Sequence, residues 1–168
     1  MATDPFARLP YRPCVGIFLL NRAGSVWIGR RLSKWDGDRS ENMWQMPQGG
    51  IDAGETPRAA AFRELGEEIG TSNAEIIAES QHWLTYDLPP EALGTALKGK
   101  YRGQRQKWFA MRFQGRDEDI DIAAKPGHKA EFDAWRWAPV RELSGLVVPF
   151  KRATYEAVVA EFGKLAAA

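Results

Sequence analysis

The sequence predicts a mixed α/β domain with helices on both faces of a mixed sheet. The first observation is a hairpin pattern, in which the apolar run CVGIFLL and the segment SVWIGRRL flank a turn-like NRAG. The second is a pair of helix candidates, residues 57–69 and 151–162, and the later one carries apolar residues at i, i+3, i+4 and i+7. Because hairpins form antiparallel pairs while strands and helices mix along the chain, we expect a mixed sheet between two helical layers.

Length and composition indicate one domain of ordinary size. The chain has 168 residues, of which 44% are hydrophobic and 27% are charged. This predicts a single domain over residues 1–168, with its core at about 11–163. The formal net charge of +1 argues against a general attraction to duplex DNA or to a membrane. Any polyanion must therefore be bound by local clusters of basic residues.

The single cysteine, Cys14, excludes an intrachain disulfide and a cysteine-based zinc site. It lies in the run CVGIFLL, which is too short to cross a bilayer and favours a place for the thiol in the core. The first residues, MATDPFARLP, contain no basic region followed by a long apolar stretch, so we expect no signal peptide. A cytoplasmic, reducing location without a membrane partner is the prediction that follows.

The remaining segments are assigned by composition and by turn residues. Residues 33–43 are polar and irregular, which is typical of a mobile loop. The stretch PPEALGTALKGKYRG is expected to be a loop with one helical turn. Further extended segments are expected at WQMPQGG, AEIIAESQHWLTYDL, QKWFAMRF and EFDAWRWAPV. These strands should complete the sheet that the hairpin begins.

The helix candidate at 57–69 has well-defined ends. Thr56 can cap it, Pro57 suits its first position and Gly70 suits its end. One arc of the helical wheel is apolar and should face the core. That arc carries Ala61, Phe62, Leu65 and Ile69.

Three glutamates, Glu64, Glu67 and Glu68, lie beside the core-facing arc of this helix. At about 100° per residue they share an arc of roughly 100°. Like charges at this spacing and the negative end of the helix dipole together cost about 1–3 kcal/mol, against a domain stability of about 5–15 kcal/mol. Arg63 is expected to offset only part of this cost, since it points about 100° away from Glu64 on the wheel.

Two interpretations of the acidic stripe stand side by side. It can be a solvated surface, or it can hold a divalent cation, which turns the repulsion into attraction. Carboxylate oxygens suit Mg²⁺ or Mn²⁺, and the cluster contains no histidine or cysteine that would favour zinc. Gly49, Gly50 and Gly54 precede the helix and leave bare backbone that a bulky anion can approach. Glycine loop, helix and aligned carboxylates together favour the cation site.

The whole segment resembles a known signature. The pattern G49-x5-E55-x7-R63-E64-L65-x-E67-E68-x-G70 matches every fixed position of the Nudix box. The last position of the box is normally a bulky aliphatic residue, and here it is Thr71. This difference affects packing rather than metal binding. Further segments resemble the Nudix subgroup of bacterial RNA pyrophosphohydrolases and of the asymmetrically cleaving diadenosine tetraphosphate hydrolases of bacteria and plants. These segments are YRPCVGI, WQMPQGGID, WLTYDLPP, GQRQKWF, EFDAWRW and VVPFKR.

This resemblance implies an α-β-α sandwich around a mixed sheet and Mg²⁺- or Mn²⁺-dependent hydrolysis of phosphoanhydride bonds. The expected partners are nucleotide polyphosphates or RNA 5′ ends, and the expected activity removes pyrophosphate from 5′-triphosphorylated RNA. Asymmetric hydrolysis of diadenosine tetra- or pentaphosphate is the alternative activity. It is favoured by the segments WQMPQGGID and WLTYDLPP and by the long loop at 33–43. A non-catalytic nucleotide-binding module is a remote third hypothesis, because the box is complete. A monomer and a weak dimer both stay open.

The resemblance also implies roles for individual acidic residues. The expected metal site comprises Gly49, Glu64, Glu67, Glu68 and Glu131. Glu64 and Glu68 are expected to be its principal ligands and to be catalytic, and Glu131 is expected to reach back as a ligand or general base. Arg63 completes the catalytic set by orienting a box carboxylate through a bidentate contact rather than by touching substrate.

The expected substrate contacts are aromatic and basic. Tyr86 and Phe150 match positions where the subgroup stacks a nucleobase, although core packing is the plain alternative for both. Lys151, beside Phe150, is expected to contact an adjacent phosphate. The other basic candidates are Arg12, Arg30 and Arg31 near the hairpin ends, and Arg105 and Lys107 in the run KGKYRGQRQK, residues 98–107. That run has five basic residues and no acidic one, and its plain alternative is a solvated loop.

Overall fold

The computed structural model describes residues 4–32 and 43–167 and contains eight strands and three α-helices within them. The strands are β1 Tyr11–Leu20, β2 Val26–Arg31, β3 Trp44–Gln45, β4 Gln48–Gly50, β5 Ala74–Glu79, β6 Leu84–Asp87, β7 Gly103–Phe113 and β8 Phe132–Ala138. The helices are α1 Pro57–Ile69, α2 Leu143–Leu146 and α3 Arg152–Phe162. The loop expected at 33–43 lies outside the described residues except for Met43. No helix within the described ranges is long and apolar enough to span a bilayer.

A parallel pair of long strands forms the centre of the sheet. β1 pairs with β7 in register from Tyr11 opposite Gly103 to Leu20 opposite Arg112. β2 and β4 pair antiparallel with β1, while β5 and β6 pair antiparallel with β7. β3 and β8 then pair antiparallel with β2. The sheet is therefore mixed, as expected, and the hairpin of β1 and β2 is confirmed.

Alternate residues of the central strands enter two separate hydrophobic layers, because side chains of a strand point to opposite faces in turn. On β1, Phe18 and Leu20 join the layer under α3, whereas Ile17 and Leu19 join the layer under α1. The α3 layer also contains Trp108, Ala110, Tyr155, Val158 and Phe162. The α1 layer also contains Ala61, Leu65, Ile69, Phe109 and Met111. One helix on each face of a mixed sheet is the α-β-α sandwich that the sequence predicts.

The helix α1 has the ends that the sequence predicts. It begins at Pro57, and the N–H of Ala59 donates to the Thr56 hydroxyl at 3.1 Å. It ends before Gly70, which has a left-handed φ of 80° and whose N–H donates to the Gly66 carbonyl. Its apolar arc is buried in the α1 layer, so its orientation about its own axis is fixed. The glutamates beside that arc are thereby carried to one end of the sheet, next to β4.

Two connecting segments differ from the sequence expectation. The last helix begins at Arg152 rather than Lys151, because Pro149–Lys151 form a separate 3₁₀ turn before it. The expected helical turn in PPEALGTALKGKYRG is a short 3₁₀ segment, Ala96–Gly99. Inside it Leu97 and Lys98 have left-handed φ values of 56° and 59°. Both segments lie beside the cavities described below.

The N-cap of α1 gives a stability prediction. Replacing Thr56 by alanine leaves the Ala59 N–H without its side-chain acceptor, so we expect the free energy of unfolding to fall by about 0.5–2 kcal/mol. Urea denaturation of the purified variant measures this change. Thr56→Ser keeps the hydroxyl and is the control, which should stay within about 0.5 kcal/mol of the original chain. Equal losses in both variants would contradict the capping role.

Candidate active site

The acidic stripe of α1 contacts β4 directly, through a hydrogen bond and through packing. Glu68 accepts a hydrogen bond from the Gln48 N–H through Oε2 at 3.0 Å, and its side chain is buried. The Glu64 carboxylate lies against Gly49, where a Cβ atom would come within 2.0 Å of the carboxylate carbon. A side chain at that position would displace the Glu64 carboxylate. The glycine and the glutamates of the box therefore form one packed unit rather than a loop followed by a free helix face.

The guanidinium of Arg63 joins the acidic residues of this unit. It makes a bidentate contact with Glu55, from Nε to Oε2 and from Nη2 to Oε1, at 2.8 Å each. Its Nη1 donates to Glu64 Oε1 at 2.9 Å and to Glu67 at 3.2 Å, and its Nη2 donates to the Gly50 carbonyl at 2.8 Å. The expectation that Arg63 points away from Glu64 is wrong. A helical wheel shows where a side chain leaves the helix, and the arginine side chain is long enough to fold back.

Burial and pairing act oppositely on two of these carboxyl groups. Arg63 and the Asp52 N–H lower the pKa of Glu55 to about 2 by hydrogen bonding to the ionised form. Burial raises the pKa of Glu64 to about 7, although Arg63 works against that shift. Glu55 is therefore an anion beside Arg63 at neutral pH. Burial destabilises the ionised form of Glu64, and a cation beside it would stabilise that form.

The four predicted glutamates meet at a small cavity of about 160 Å³. It is lined by Glu64, Glu67, Glu68 and Glu131, together with Gly127, His128 and Lys129. His128 Nε2 lies 3.4 Å from Glu67 Oε1. In residues 4–32 and 43–167, no three acidic, histidine or cysteine side chains are already close enough together to hold an ion. The donor set of carboxylate oxygens nevertheless fits a hard divalent cation such as Mg²⁺ or Mn²⁺.

A larger cavity of about 280 Å³ lies next to this cluster and has two contrasting walls. The acidic wall consists of Gly49, Gly50, Glu64, Glu67 and Glu131. The other wall includes Arg12, Arg31, Tyr86, Phe150 and Lys151. The structure thus brings together five of the eight predicted substrate residues and four of the five predicted metal-site residues at one cavity. Carboxylates thus face fixed positive charges across this cavity.

The aromatic and basic residues of the second wall contact one another. The Tyr86 and Phe150 rings lie 5.6 Å apart between centroids at an angle of 50°. Lys151 Nζ lies 5.7 Å from the Tyr86 ring and 5.9 Å from the Phe150 ring, and it donates to Gln45 Oε1 at 3.1 Å. Burial raises the pKa of the Tyr86 hydroxyl, so this phenol stays neutral. The half-buried Phe150 is the ring of this pair that offers more open surface to a ligand.

Three predicted substrate residues do not line the active-site cavity. Of the adjacent residues Arg30 and Arg31 at the end of β2, only Arg31 lines the cavity. On β7, Gln104 lines the cavity, so Arg105 and Lys107 belong to the other face. The three residues have other partners: Arg30 Nε bonds to Asp133 Oδ1 at 2.7 Å, Arg105 lies 4.2 Å from the Trp83 ring centroid, and Lys107 Nζ lies 3.5 Å from Glu79 Oε1.

A chain of glutamines behind the cavity is absent from the sequence prediction. The indole N–H of Trp108 donates to Gln106 Oε1 at 3.0 Å. Gln106 Nε2 donates in turn to Gln104 Oε1 at 2.8 Å and to Gln48 Oε1 at 3.1 Å. Gln48 and Gln104 line the cavity, while Gln106 is fully buried. The signal was visible in GQRQKWF, where glutamines alternate with basic residues on a strand and so share one face.

The fold and the site together define the class of protein. A mixed sheet between two helical layers, with a loop–helix unit whose glutamates and arginine converge beside β4, is the arrangement of a Nudix hydrolase. Residues 10–160 match the NUDIX domain, and the chain belongs to the Nudix family. It is therefore an enzyme of the class that hydrolyses phosphoanhydride bonds.

Similar proteins extend over nearly the whole chain. An RNA pyrophosphohydrolase of Agrobacterium fabrum is 57% identical over 162 residues, which cover 94% of each chain. An RNA pyrophosphohydrolase of Brucella abortus is 56% identical over 164 residues, which cover 95% of this chain and 91% of the relative.

Solved structures share the fold at low sequence identity. The Escherichia coli dihydroneopterin triphosphate pyrophosphohydrolase has a TM-score of 0.63 at 16% identity and covers 90% of this chain and 99% of its own. A binary complex of a Caenorhabditis elegans Ap4A hydrolase has a TM-score of 0.60 at 16% identity and covers 91% of this chain and 98% of its own. At such identities the likeness concerns the fold alone.

The contact between Glu55 and Arg63 gives a pH prediction. Because the pKa of folded Glu55 is about 2, below its usual 4.5, its ionised form stabilises the fold above pH 4.5, and this stabilisation is lost as the pH falls toward 2. Glu55→Gln should therefore lower the free energy of unfolding at pH 7, with a difference that shrinks below about pH 4.5. Denaturant titrations at pH 7, 4 and 3 measure it, with Glu156→Gln on the exposed face of α3 as the matched control. A difference independent of pH would contradict the assigned contact.

Proposed function

We propose that this enzyme removes pyrophosphate from the 5′ end of triphosphorylated RNA. The observation that carries the proposal is the 57% identity, over 94% of both chains, to a protein named RNA pyrophosphohydrolase. The two-walled cavity supports it. The Tyr86–Phe150 pair offers a ring surface to the first base, and Arg12, Arg31 and Lys151 offer positive charge to the phosphates.

We propose further that Mg²⁺ or Mn²⁺ is held by Glu64, Glu67, Glu68 and Glu131, with Gly49 giving the space in which Glu64 packs. The ion would neutralise phosphate charge and lower the pKa of a water molecule. Arg63 holds the carboxylates of Glu64 and Glu67 in place from behind, so it acts as a positioning residue. The Gln48 N–H holds Glu68 in the same way.

In the proposed reaction a water oxygen attacks a phosphorus of the 5′-triphosphate. A new P–O bond forms to the water oxygen at the α- or β-phosphorus, and a P–O bond of the bridge between these two phosphates breaks. The proton of the water passes to a site glutamate, for which Glu131 and Glu68 are the candidates. The products are pyrophosphate and an RNA with a 5′-monophosphate. The cationic side chains of Arg12 and Lys151 offset the charge that grows on the phosphate oxygens.

Asymmetric hydrolysis of diadenosine tetra- or pentaphosphate is the second candidate function. The segments WQMPQGGID and WLTYDLPP favour it, and they contribute Gln48 and Tyr86 to the cavity. The complete set of box carboxylates argues against a purely binding role. A cytoplasmic location and a monomeric or weakly dimeric state stay predictions from the sequence.

Parallel assays of the purified enzyme separate the two substrate candidates. We expect, with Mg²⁺, a larger kcat/KM for a 5′-triphosphorylated RNA than for diadenosine tetraphosphate, with pyrophosphate as the inorganic product. Glu68→Gln keeps the size and the acceptor for the Gln48 N–H but removes a charged ligand, so kcat should fall by at least about a hundredfold. Glu156→Gln is the matched control. An unchanged rate in Glu68→Gln would refute the metal site, and a preference for diadenosine tetraphosphate would refute the RNA proposal.

The aromatic wall gives a separate kinetic prediction. Loss of a stacked ring removes about 1–3 kcal/mol per base, so Phe150→Ala should raise KM about tenfold or more with a smaller fall in kcat. Phe150→Leu keeps apolar bulk without a ring and should resemble the alanine variant, whereas Phe150→Tyr should retain a low KM. Equal falls in kcat and kcat/KM would contradict ground-state stacking, and full function in Phe150→Leu would assign the residue to packing.

A further inference from the structure

A second cavity adjoins the active-site cavity. It has a volume of about 300 Å³ and is lined by Arg12, Leu97, Lys98, Lys100 and Tyr101. Arg12 and Leu97 also line the active-site cavity, so the two spaces share a wall. A substrate that fills the first cavity can therefore extend past Arg12 into the second.

The lining of the second cavity carries positive charge and no negative charge. It contains three basic side chains and no acidic one. Among the residues that the structure describes, no carboxylate lies within ion-pair distance of Arg12, Lys98 or Lys100. A pocket of this kind attracts anions and can donate charge-assisted hydrogen bonds to them.

The other basic residues of the run 98–107 are engaged elsewhere. Their partners differ: Arg102 Nη2 bonds to Asp87 Oδ2 at 2.9 Å, Arg105 covers the Trp83 ring, and Lys107 lies beside Glu79. Lys98 and Lys100 are the remaining basic residues of the run, and both line the second cavity. Only the N-terminal part of this run, which contains Lys98 and Lys100, therefore lines the second cavity. The C-terminal part, from Arg102 to Lys107, has other partners.

The backbone of this segment is held in an unfavourable conformation. Leu97, Lys98 and Gly99 have consecutive φ values of 56°, 59° and 68°. The left-handed region crowds Cβ against the backbone, so two non-glycine residues in succession are unusual there. Strain of this type concentrates at binding and catalytic segments, where the surrounding structure maintains it. Here it produces a tight turn from which both lysines reach the same cavity.

We propose that the second cavity is a phosphate subsite, formed by Arg12, Lys98 and Lys100, that holds a substrate phosphate other than the one attacked. The proposal rests on the proposed function, because it requires a substrate with several phosphates in the adjoining cavity. Two groups have this chemistry: the phosphodiester that follows the first nucleotide of an RNA, and the terminal phosphate of the 5′ chain. The Tyr101 hydroxyl supplies a neutral donor to the same group.

The test compares the original enzyme with the double variant Lys98→Gln/Lys100→Gln. Both lysines are exposed, so the fold should be retained, and thermal unfolding checks this. The matched control is Arg22→Gln/Lys164→Gln, which removes the same charge from exposed positions away from the cavities; Arg22 lies in the turn at the other end of β1 from Arg12. KM is measured for the triphosphates pppA and pppApG, and Kd is measured without turnover for the monophosphates pA and pApG.

Each pattern of results has one meaning. A rise of about tenfold in KM for pppApG and in Kd for pApG, without change for pppA and pA, supports the subsite and assigns it to the phosphodiester. An equal rise in KM for both triphosphates, without change for either monophosphate, supports the subsite and assigns it to the terminal phosphate. Unchanged values for all four ligands, or the same changes in the control variant, overturn it.

The same measurements distinguish a failure of the proposed function from a failure of the phosphate subsite. An original enzyme that binds pApG more tightly than pA, and loses this difference in the double variant, has the subsite even if it releases no pyrophosphate from pppApG. In that outcome the reaction assignment is wrong and the phosphate subsite stands. A wild-type enzyme that turns over pppApG with no effect of the double variant has the function without the subsite.

Discussion

The hydrogen bonds of the Arg63 guanidinium are the interactions on which the rest of the site depends. Glu55, Glu64 and Glu67 approach one another although their charges repel, because one planar cation lies among them. The contacts to the Gly50 carbonyl and to both oxygens of Glu55 use the remaining donors, so all five N–H groups of the side chain have acceptors. Lysine offers three donors and no fixed plane, and it would leave part of this set unsatisfied. The acidic stripe is stable because it is built around an arginine.

Local sequence signals were sufficient for the elements that carry this site. Thr56, Pro57 and Gly70 mark the ends of α1 to the residue, because capping and left-handed termination are properties of a few neighbouring residues. The apolar arc of α1 predicts its buried face for the same reason. The box pattern then predicts which glutamates converge, since residues three and four apart on a helix lie on one face.

Other features depend on distant parts of the chain. The parallel pairing of β1 with β7 joins strands about ninety residues apart, and no short pattern contains it. Arg105 and Lys107 differ from Gln104 in which face of β7 they occupy, and that choice depends on the register with β1. The return of Arg63 to Glu64 depends on β4 and on Glu55. The sequence alone therefore overestimated how many basic residues line the active-site cavity.

The glutamine chain behind the cavity has a fixed polarity. An indole N–H can donate and cannot accept, so Trp108 requires the carbonyl oxygen of Gln106 to turn toward it. The Gln106 amide nitrogen must then point outward, where it occupies the carbonyl oxygens of Gln48 and Gln104. Both terminal glutamines consequently turn their NH₂ ends away from the chain. One tryptophan in the core thereby fixes the orientation of the Gln106 amide and, through it, which ends of the Gln48 and Gln104 amides face the chain.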